Sequence, residues 1–385
     1  MLLEKMMGLV LCVITHTEER EIAPPPNSCY LTIVMNTPKK ILVLRFSSIG
    51  DIVLSSPLLR GLRTRFPKSQ IDYVTRREYA ELVRSNQNIN FTYEFDAAEG
   101  FNGLRTLKKR IQAEQYDLLV DIHGSLRSRY IRAFAGPALV TSVDKREKER
   151  AALVKFKKDL YKDVVPVSQR YIEAVESFGV QDDGKGVELH IPDEIQFAVS
   201  GKMAVLKLNQ YEKVVGLCPT ARHFTKCWPR ERFIELGMRC ARDRDAKILL
   251  FGGNNDTGYC EAVANAINEG AGSGRASNLC GQYSLLESAA AMDFCDVVVT
   301  NDSGLMHIAE ARQRNLVALF GSTVRQFGFF PQNKNSIVIE RDGLPCRPCS
   351  HIGRSSCPEK HFRCMEEISV EEVFVQTDRM MNVHQ

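Results

Sequence analysis

The feature that most constrains this chain is a strand-then-helix pattern that runs as one series and then starts again. Ile41-Leu42-Val43-Leu44-Arg45-Phe46 is an apolar run bounded by polar turn residues, the signature of a buried parallel strand. A helical pattern follows to Phe66, with Pro57 suited to its first turn and Pro67 ending it. Residues 71–75, 93–95 and 117–122 read as further strands, and residues 77–86 and 103–114 as helices. After residue 200 the alternation resumes. Strands are predicted at 214–218, 247–251, 296–300 and 316–320, and helices at 230–242, 256–268, 284–292 and 305–312. Such alternation demands parallel sheets with helices on both faces, here two doubly wound α/β units joined near residues 185–210. A length of 385 residues accommodates two such domains.

Composition narrows the function classes. Hydrophobic residues make up 44% and charged residues 25%, ordinary soluble globular usage. The net charge of +4 is too small for a global nucleic-acid-binding field, so no nucleic-acid partner is expected. Basic residues do cluster from Lys145 to Lys162, which reads as a solvated helix face or as a dock for an anionic acceptor or membrane surface. No apolar run reaches the roughly 18 residues of a membrane span. Met6 to Ile14 is apolar but short, follows Glu4, and precedes no small-residue cleavage site. Met35-Asn36-Thr37-Pro38-Lys39-Lys40 leads straight into the first strand. Residues 1–38 are therefore read as an extension or a misassigned start, with 1–34 expected to be poorly ordered.

Four loops at strand carboxyl ends carry chemistry. In Ser47-Ser48-Ile49-Gly50-Asp51, Gly50 permits a close turn, and Asp51 at a helix start would by local rules be a cap. The loop from Cys218 to Pro229 holds Thr220, Arg222, His223, Thr225 and Lys226 between a strand and a helix. That composition suits a phosphate, with Lys226 as a point charge. Trp228 beside Pro229 reads as core packing. Gly252-Gly253-Asn254-Asn255-Asp256 is Gly-rich but lacks the dinucleotide fingerprint. Thr300-Asn301-Asp302-Ser303-Gly304-Leu305-Met306-His307 closes a strand and opens a helix. There Ser303 and the Gly304 N–H could hold a diphosphate, and His307 either joins them or packs as a structural residue.

Together these loops resemble glycosyltransferase family 9, the ADP-heptose:lipopolysaccharide heptosyltransferases, over roughly residues 38–375. The matching pieces are Ser-Ser-Ile-Gly-Asp at 47–51, Lys-Cys-Trp-Pro at 226–229 and Asn-Asp-Ser-Gly-Leu-Met-His at 301–307. Val167-Ser168-Gln169-Arg170-Tyr171 with Phe178-Gly179-Val180 is similar to the family's domain-closing segment. The resemblance implies a GT-B fold: two Rossmann-like domains facing across a cleft, an acceptor domain at 39–200 and a donor domain at 201–385. It implies an inverting, metal-independent transfer with no cofactor, from ADP-heptose to an anionic lipid-linked acceptor of the lipopolysaccharide inner core. Asp51 would then be the general base and Lys226 the group that neutralises the donor phosphates. Thr220, Asp256, Tyr283, Asp302, Ser303, Gly304 and His307 would bind the donor. Ser48, Gly50, Arg127 and Arg129 would bind the acceptor. The expected location is cytoplasmic, with contact at the cytoplasmic face of the inner membrane. The alternative is a GT-B enzyme using another nucleotide sugar in cell-surface polysaccharide synthesis. An NAD-dependent oxidoreductase is disfavoured, because the first strand lacks a Gly-x-Gly-x-x-Gly loop. Asp243-Arg244-Asp245 spells a metal clamp but precedes a strand, so it reads as an exposed turn.

Cys346, Cys349, Cys357 and Cys364, with His351 and His361 between them, have spacing compatible with a closed zinc site or with disulfides in three pairings. A structural knot or reduced thiols is the preferred reading, since no secretory signal precedes them.

Overall fold

The computed structural model describes residues 37–133 and 139–383. The expectation for residues 1–34 therefore lies outside the described residues. The first series forms β1 (Lys40–Leu44), α1 (Ile49–Val53), α2 (Ser56–Arg65), β2 (Gln70–Arg76), α3 (Glu81–Arg84) and β3 (Phe91–Phe95). It continues with α4 (Gly100–Glu114), β4 (Leu118–Asp121), α5 (Leu126–Arg132), β5 (Leu139–Ser142), α6 (Glu147–Phe156) and α7 (Val167–Glu173). The second forms α8 (Asp193–Ala204), β6 (Lys213–Cys218), α9 (Arg230–Asp243), β7 (Ala246–Leu250), α10 (Thr257–Ala271) and β8 (Ala276–Asn278). After these come α11 (Leu285–Met292), β9 (Val297–Asn301), α12 (Gly304–Ala311), β10 (Leu316–Phe320), β11 (Ser336–Glu340), α13 (Arg363–Glu366) and α14 (Val370–Met381).

The two expected sheets are present and every strand pairing is parallel. Their orders are β3-β2-β1-β4-β5 and β11-β10-β9-β6-β7-β8. Residues 41–44 and 297–301 are wholly buried because helices cover both faces, which is why they read as unbroken apolar runs.

Sequence order reverses between β1 and β4 in one sheet and between β6 and β9 in the other. At such a switch point neighbouring loops leave in opposite directions and open a crevice beyond the strand carboxyl ends. The segments Arg45–Asp51 and Thr220–Lys226, and the start of α12, all lie at these two places.

One apolar core runs through both halves, joining Ile52, Leu58 and Tyr171 to Leu286, Ala289, Met306 and Phe330. Trp228 is fully buried in a second core, and its indole N–H donates to the Ile368 carbonyl. The expected turn at 243–245 lies at the amino end of β7, where Asp245 pairs with Arg275 and Arg244 with Asp378. The segment expected at 77–86 as one helix is a 3-10 turn (Arg77–Tyr79) followed by α3. The short strands β5, β8 and β11 escape the apolar pattern because their residues are largely half-exposed.

Candidate active site

Asp51 sits in the first turn of α1, and its carboxylate is gripped from three sides. Arg45 Nη2 lies 2.5 Å from Oδ1. The Ser48 hydroxyl (2.9 Å) and backbone N–H (3.2 Å) donate to Oδ2. The Tyr171 hydroxyl donates to Oδ1 at 3.2 Å. Asp51 is thus both a cap and a group held at the crevice, 15% exposed. Burial pushes its carboxyl up, but the Arg45 charge and the Ser48 hydrogen bonds outweigh burial and hold it below the usual carboxylate range. Burial, helped by the Asp51 charge and opposed by that of Arg45, raises the Tyr171 phenol well above its usual range, so it stays protonated and can only donate to that oxygen.

Arg45 is the residue that the apolar strand pattern concealed. It follows β1, is 8% exposed, and also donates from Nη1 to the Ile122 carbonyl at 2.6 Å. The signal for it was a cation inside an otherwise apolar run. His123, after β4, stands near the same pair. Burial, reinforced by the Arg45 charge, lowers its imidazole to about 3, so it is neutral.

Lys226 and Asp302, from loops after β6 and β9, form an ion pair at 2.7 Å. The Thr323 hydroxyl donates to the same Asp302 oxygen at 2.6 Å. Thr220 lies half-buried just past β6. Ser303 is the residue before α12, and its hydroxyl makes no cap bond there; it lies 3.5 Å from that of Thr300. Asp256 accepts from the Gly253 N–H at 2.8 Å, so it shapes its own loop. Tyr283 is half-buried beneath the Lys202 ammonium, 4.8 Å from the ring centroid. Arg127 and Arg129 are exposed on α5, and Ser48 is exposed on the rim.

His307 is buried, with Nδ1 3.4 Å from Glu310. Its ring packs against the absent side chain of Gly50: a β-carbon there would stand 2.5 Å from His307 Cδ2. The relation is reciprocal, because a β-carbon on Gly304 would stand 2.8 Å from Ile49 Cβ. The two switch-point helices therefore interlock through a glycine each. Gly50→Ala is expected to destabilise the fold by about 1–3 kcal/mol, the usual cost of overpacking. A urea unfolding midpoint equal to wild type would show that His307 yields freely.

Val167–Tyr171, the segment similar to the family's domain-closing one, bonds to the second half of the chain. The Val167 N–H donates to the Gly328 carbonyl at 3.0 Å, and Arg170 donates to the Gln326 carbonyl at 2.9 Å. Asp51, Arg45, Lys145, Arg150, Tyr171 and His351 line a cleft of about 260 Å³. His351 comes from the cysteine-rich segment, which sequence reasoning did not connect with the cleft. Burial and then the charges of Arg150, Lys226 and Lys145 push its imidazole pKa down, which marks it as lying among cations of both halves.

The four cysteines of that segment are free thiols lining one enclosed space of about 10 Å³. Among the described residues, no group of three or more His, Cys, Asp or Glu side chains is arranged to hold a metal ion.

The model of glycosyltransferase family 9 (heptosyltransferase) matches residues 104–360, which include Lys226 and the 301–307 loop but begin after Asp51. Lipooligosaccharide heptosyltransferase 2 of Campylobacter jejuni is 26% identical over 86% of this chain and 95% of its own length. Lipopolysaccharide heptosyltransferase 2 of Escherichia coli is 28% identical over 75% of this chain and 84% of its own. Among solved structures, the family 9 glycosyl transferase of Veillonella parvula superposes with a TM-score of 0.75 at 23% identity, covering 89% of this chain and 97% of that one. The E. coli ADP-heptose lps heptosyltransferase II gives a TM-score of 0.69 at 24% identity, covering 89% and 98%. With the family model matching residues 104–360, most of this chain, and two facing Rossmann-like sheets of the GT-B kind, this chain belongs to glycosyltransferase family 9 and is a glycosyltransferase.

Proposed function

We propose that the chain transfers a heptose from ADP-heptose to an anionic, lipid-linked saccharide of the lipopolysaccharide inner core, with inversion and without a metal. The observation that carries this reading is the pairing of two switch points, one presenting a carboxylate and the other a lysine beside a helix start. In this reading residues 39–200 take the acceptor and residues 201–385 the donor. Asp51 accepts the proton of the attacking hydroxyl. Lys226, Thr220, Ser303 and the Gly304 N–H meet the diphosphate, whose charge grows as the glycosidic bond breaks. Asp302 orients Lys226. His307 holds the loop through Gly50. Asp256 and Tyr283 stand toward the nucleoside. Ser48, Gly50, Arg127 and Arg129 border the acceptor. The relatives named above support the heptose donor.

The test is turnover with ADP-heptose and a defined Kdo-lipid acceptor, with and without EDTA. Transfer unaffected by EDTA, with inverted anomeric configuration in the product, is expected. ADP at about a hundredfold its Kd should stabilise the fold by about 2.7 kcal/mol. Stabilisation by UDP but not ADP would instead favour a GT-B enzyme using another nucleotide sugar.

A further inference from the structure

Residues 156–164, which leave α6 and lead towards α7, alternate in role along the chain. Residues 157, 159 and 161 hold the segment to the body. Lys157 donates to the carbonyls of Cys346 (3.1 Å) and Pro348 (2.6 Å). Asp159 accepts from the Gln326 side chain at 2.8 Å, and Tyr161 lines the cleft beside Asp51. Residues 156, 158, 160, 162 and 164 do the opposite. Phe156 is 70% exposed, Leu160 57% and Val164 54%. Lys158 and Lys162, between them, are exposed and have no ion-pair partner among the described residues. Along the chain the exposed residues of this row therefore run apolar, cation, apolar, cation, apolar.

Three large apolar side chains held in water within nine residues have no use in a solvated surface, and charged residues alone would serve solubility better. Apolar side chains interleaved with lysines match a bilayer surface, where the former enter the headgroup boundary and the latter meet anionic lipid. Lys148 and Lys155 on α6 and Arg127 and Arg129 on α5 add exposed cations, and Leu126 on α5 is 83% exposed. Asp163 is the one exposed carboxylate of the segment not engaged by a partner among the described residues. No described helix is long and apolar enough to cross a membrane.

We infer that residues 156–164 dock the protein on an anionic lipid surface, through Phe156, Leu160 and Val164 with Lys158 and Lys162. Tyr161 of the same segment lines the cleft, so docking brings the cleft close to the bilayer. The inference rests on the lipid-linked acceptor proposed above, and it specifies which surface of the protein meets that lipid.

The test separates the two. Full-length protein is sedimented with vesicles of phosphatidylcholine alone and with vesicles about one third phosphatidylglycerol. Binding is expected only to the latter, and it should be released near 1 M salt, where the Debye length is about 3 Å. F156S/L160S/V164S and K158E/K162E should each weaken partitioning about tenfold or more. Both variants should retain wild-type turnover on a delipidated, soluble acceptor saccharide. Failure of wild type to bind anionic vesicles, or variants that bind as well as wild type, overturns the docking surface while leaving the transfer reaction testable on its own. A wild-type dimer in light scattering that F156S/L160S/V164S abolishes, without vesicle binding, would make the row an interface between copies and equally overturn it. Loss of soluble-acceptor turnover in step with vesicle binding would place the row in the catalytic machinery instead.

Discussion

Asp51→Asn is expected to lower kcat by about 10²–10⁴-fold, the range for a positioned general base, with ADP affinity unchanged. The amide keeps the shape of the carboxylate and loses its proton affinity. In that proposed role Asp51 is ionised well into acid, because the Arg45 charge and the Ser48 bonds outweigh burial. A carboxylate with a depressed pKa is a weak base toward a ground-state alcohol. It suits an alcohol that becomes acidic only as its oxygen bonds to the anomeric carbon, so proton transfer comes late. Asp51 should therefore impose no acid limb on kcat/KM between about pH 5 and 8. The stability linked to it has the same sign. A lowered folded pKa contributes above the unfolded carboxyl value of about 3.9 and is lost as the pH falls through the folded value. Arg45→Met is the companion variant. It leaves the buried carboxylate without its cation, which costs about 3–5 kcal/mol. Burial is then opposed only by the Ser48 hydrogen bonds, and an acid limb should appear at higher pH than in wild type. Undiminished turnover in Asp51→Asn would remove the base assignment. An unmoved pH profile in Arg45→Met would show that Arg45 does not set the charge of Asp51.

The strands and most helices were legible because each rests on a local pattern: residues 41–44, 214–218 and 316–320 are buried on both faces and read as apolar runs. The order of the strands was not legible, since parallel neighbours are chosen by packing between distant segments. Without that order, four loops at strand carboxyl ends stood as candidates with no spatial ranking among them. The sheets rank them. The loops after β1, β6 and β9 flank switch points, whereas Gly252–Asp256 follows β7, one strand away, and its Asp256 is spent on its own turn. Arg45 was hidden for a related reason. A lone cation at the end of an apolar run has no partner in its neighbourhood of sequence except Asp51, six residues on, and helix or strand periodicity does not join those positions. The Gly50–His307 contact joins residues more than two hundred apart and has no local signature at all.

Lys226→Met should lower kcat/KM by about 10²–10³-fold, the cost of removing one preorganised group from a developing charge. Without a donor, the lysine already has a counter-ion in Asp302. A purely structural pair would also be damaged by the substitution, so the single variant does not discriminate. The geometry does supply a discriminating variant. An ammonium carries three donors, and Asp302 at 2.7 Å occupies one, with the lysine side chain still 16% exposed at the crevice. Donors remain for a diphosphate held at the start of α12. The carboxylate that Lys226→Met would orphan is 6% exposed and also accepts from Thr323. Lys226→Met/Asp302→Asn removes both charges together and relieves that burial cost. If the pair is structural, the double variant should regain both stability and turnover. If Lys226 meets the leaving diphosphate, stability should return while kcat/KM stays about 10²–10³-fold down and ADP binding remains weakened. Full recovery of turnover in the double variant would take Lys226 out of the chemistry.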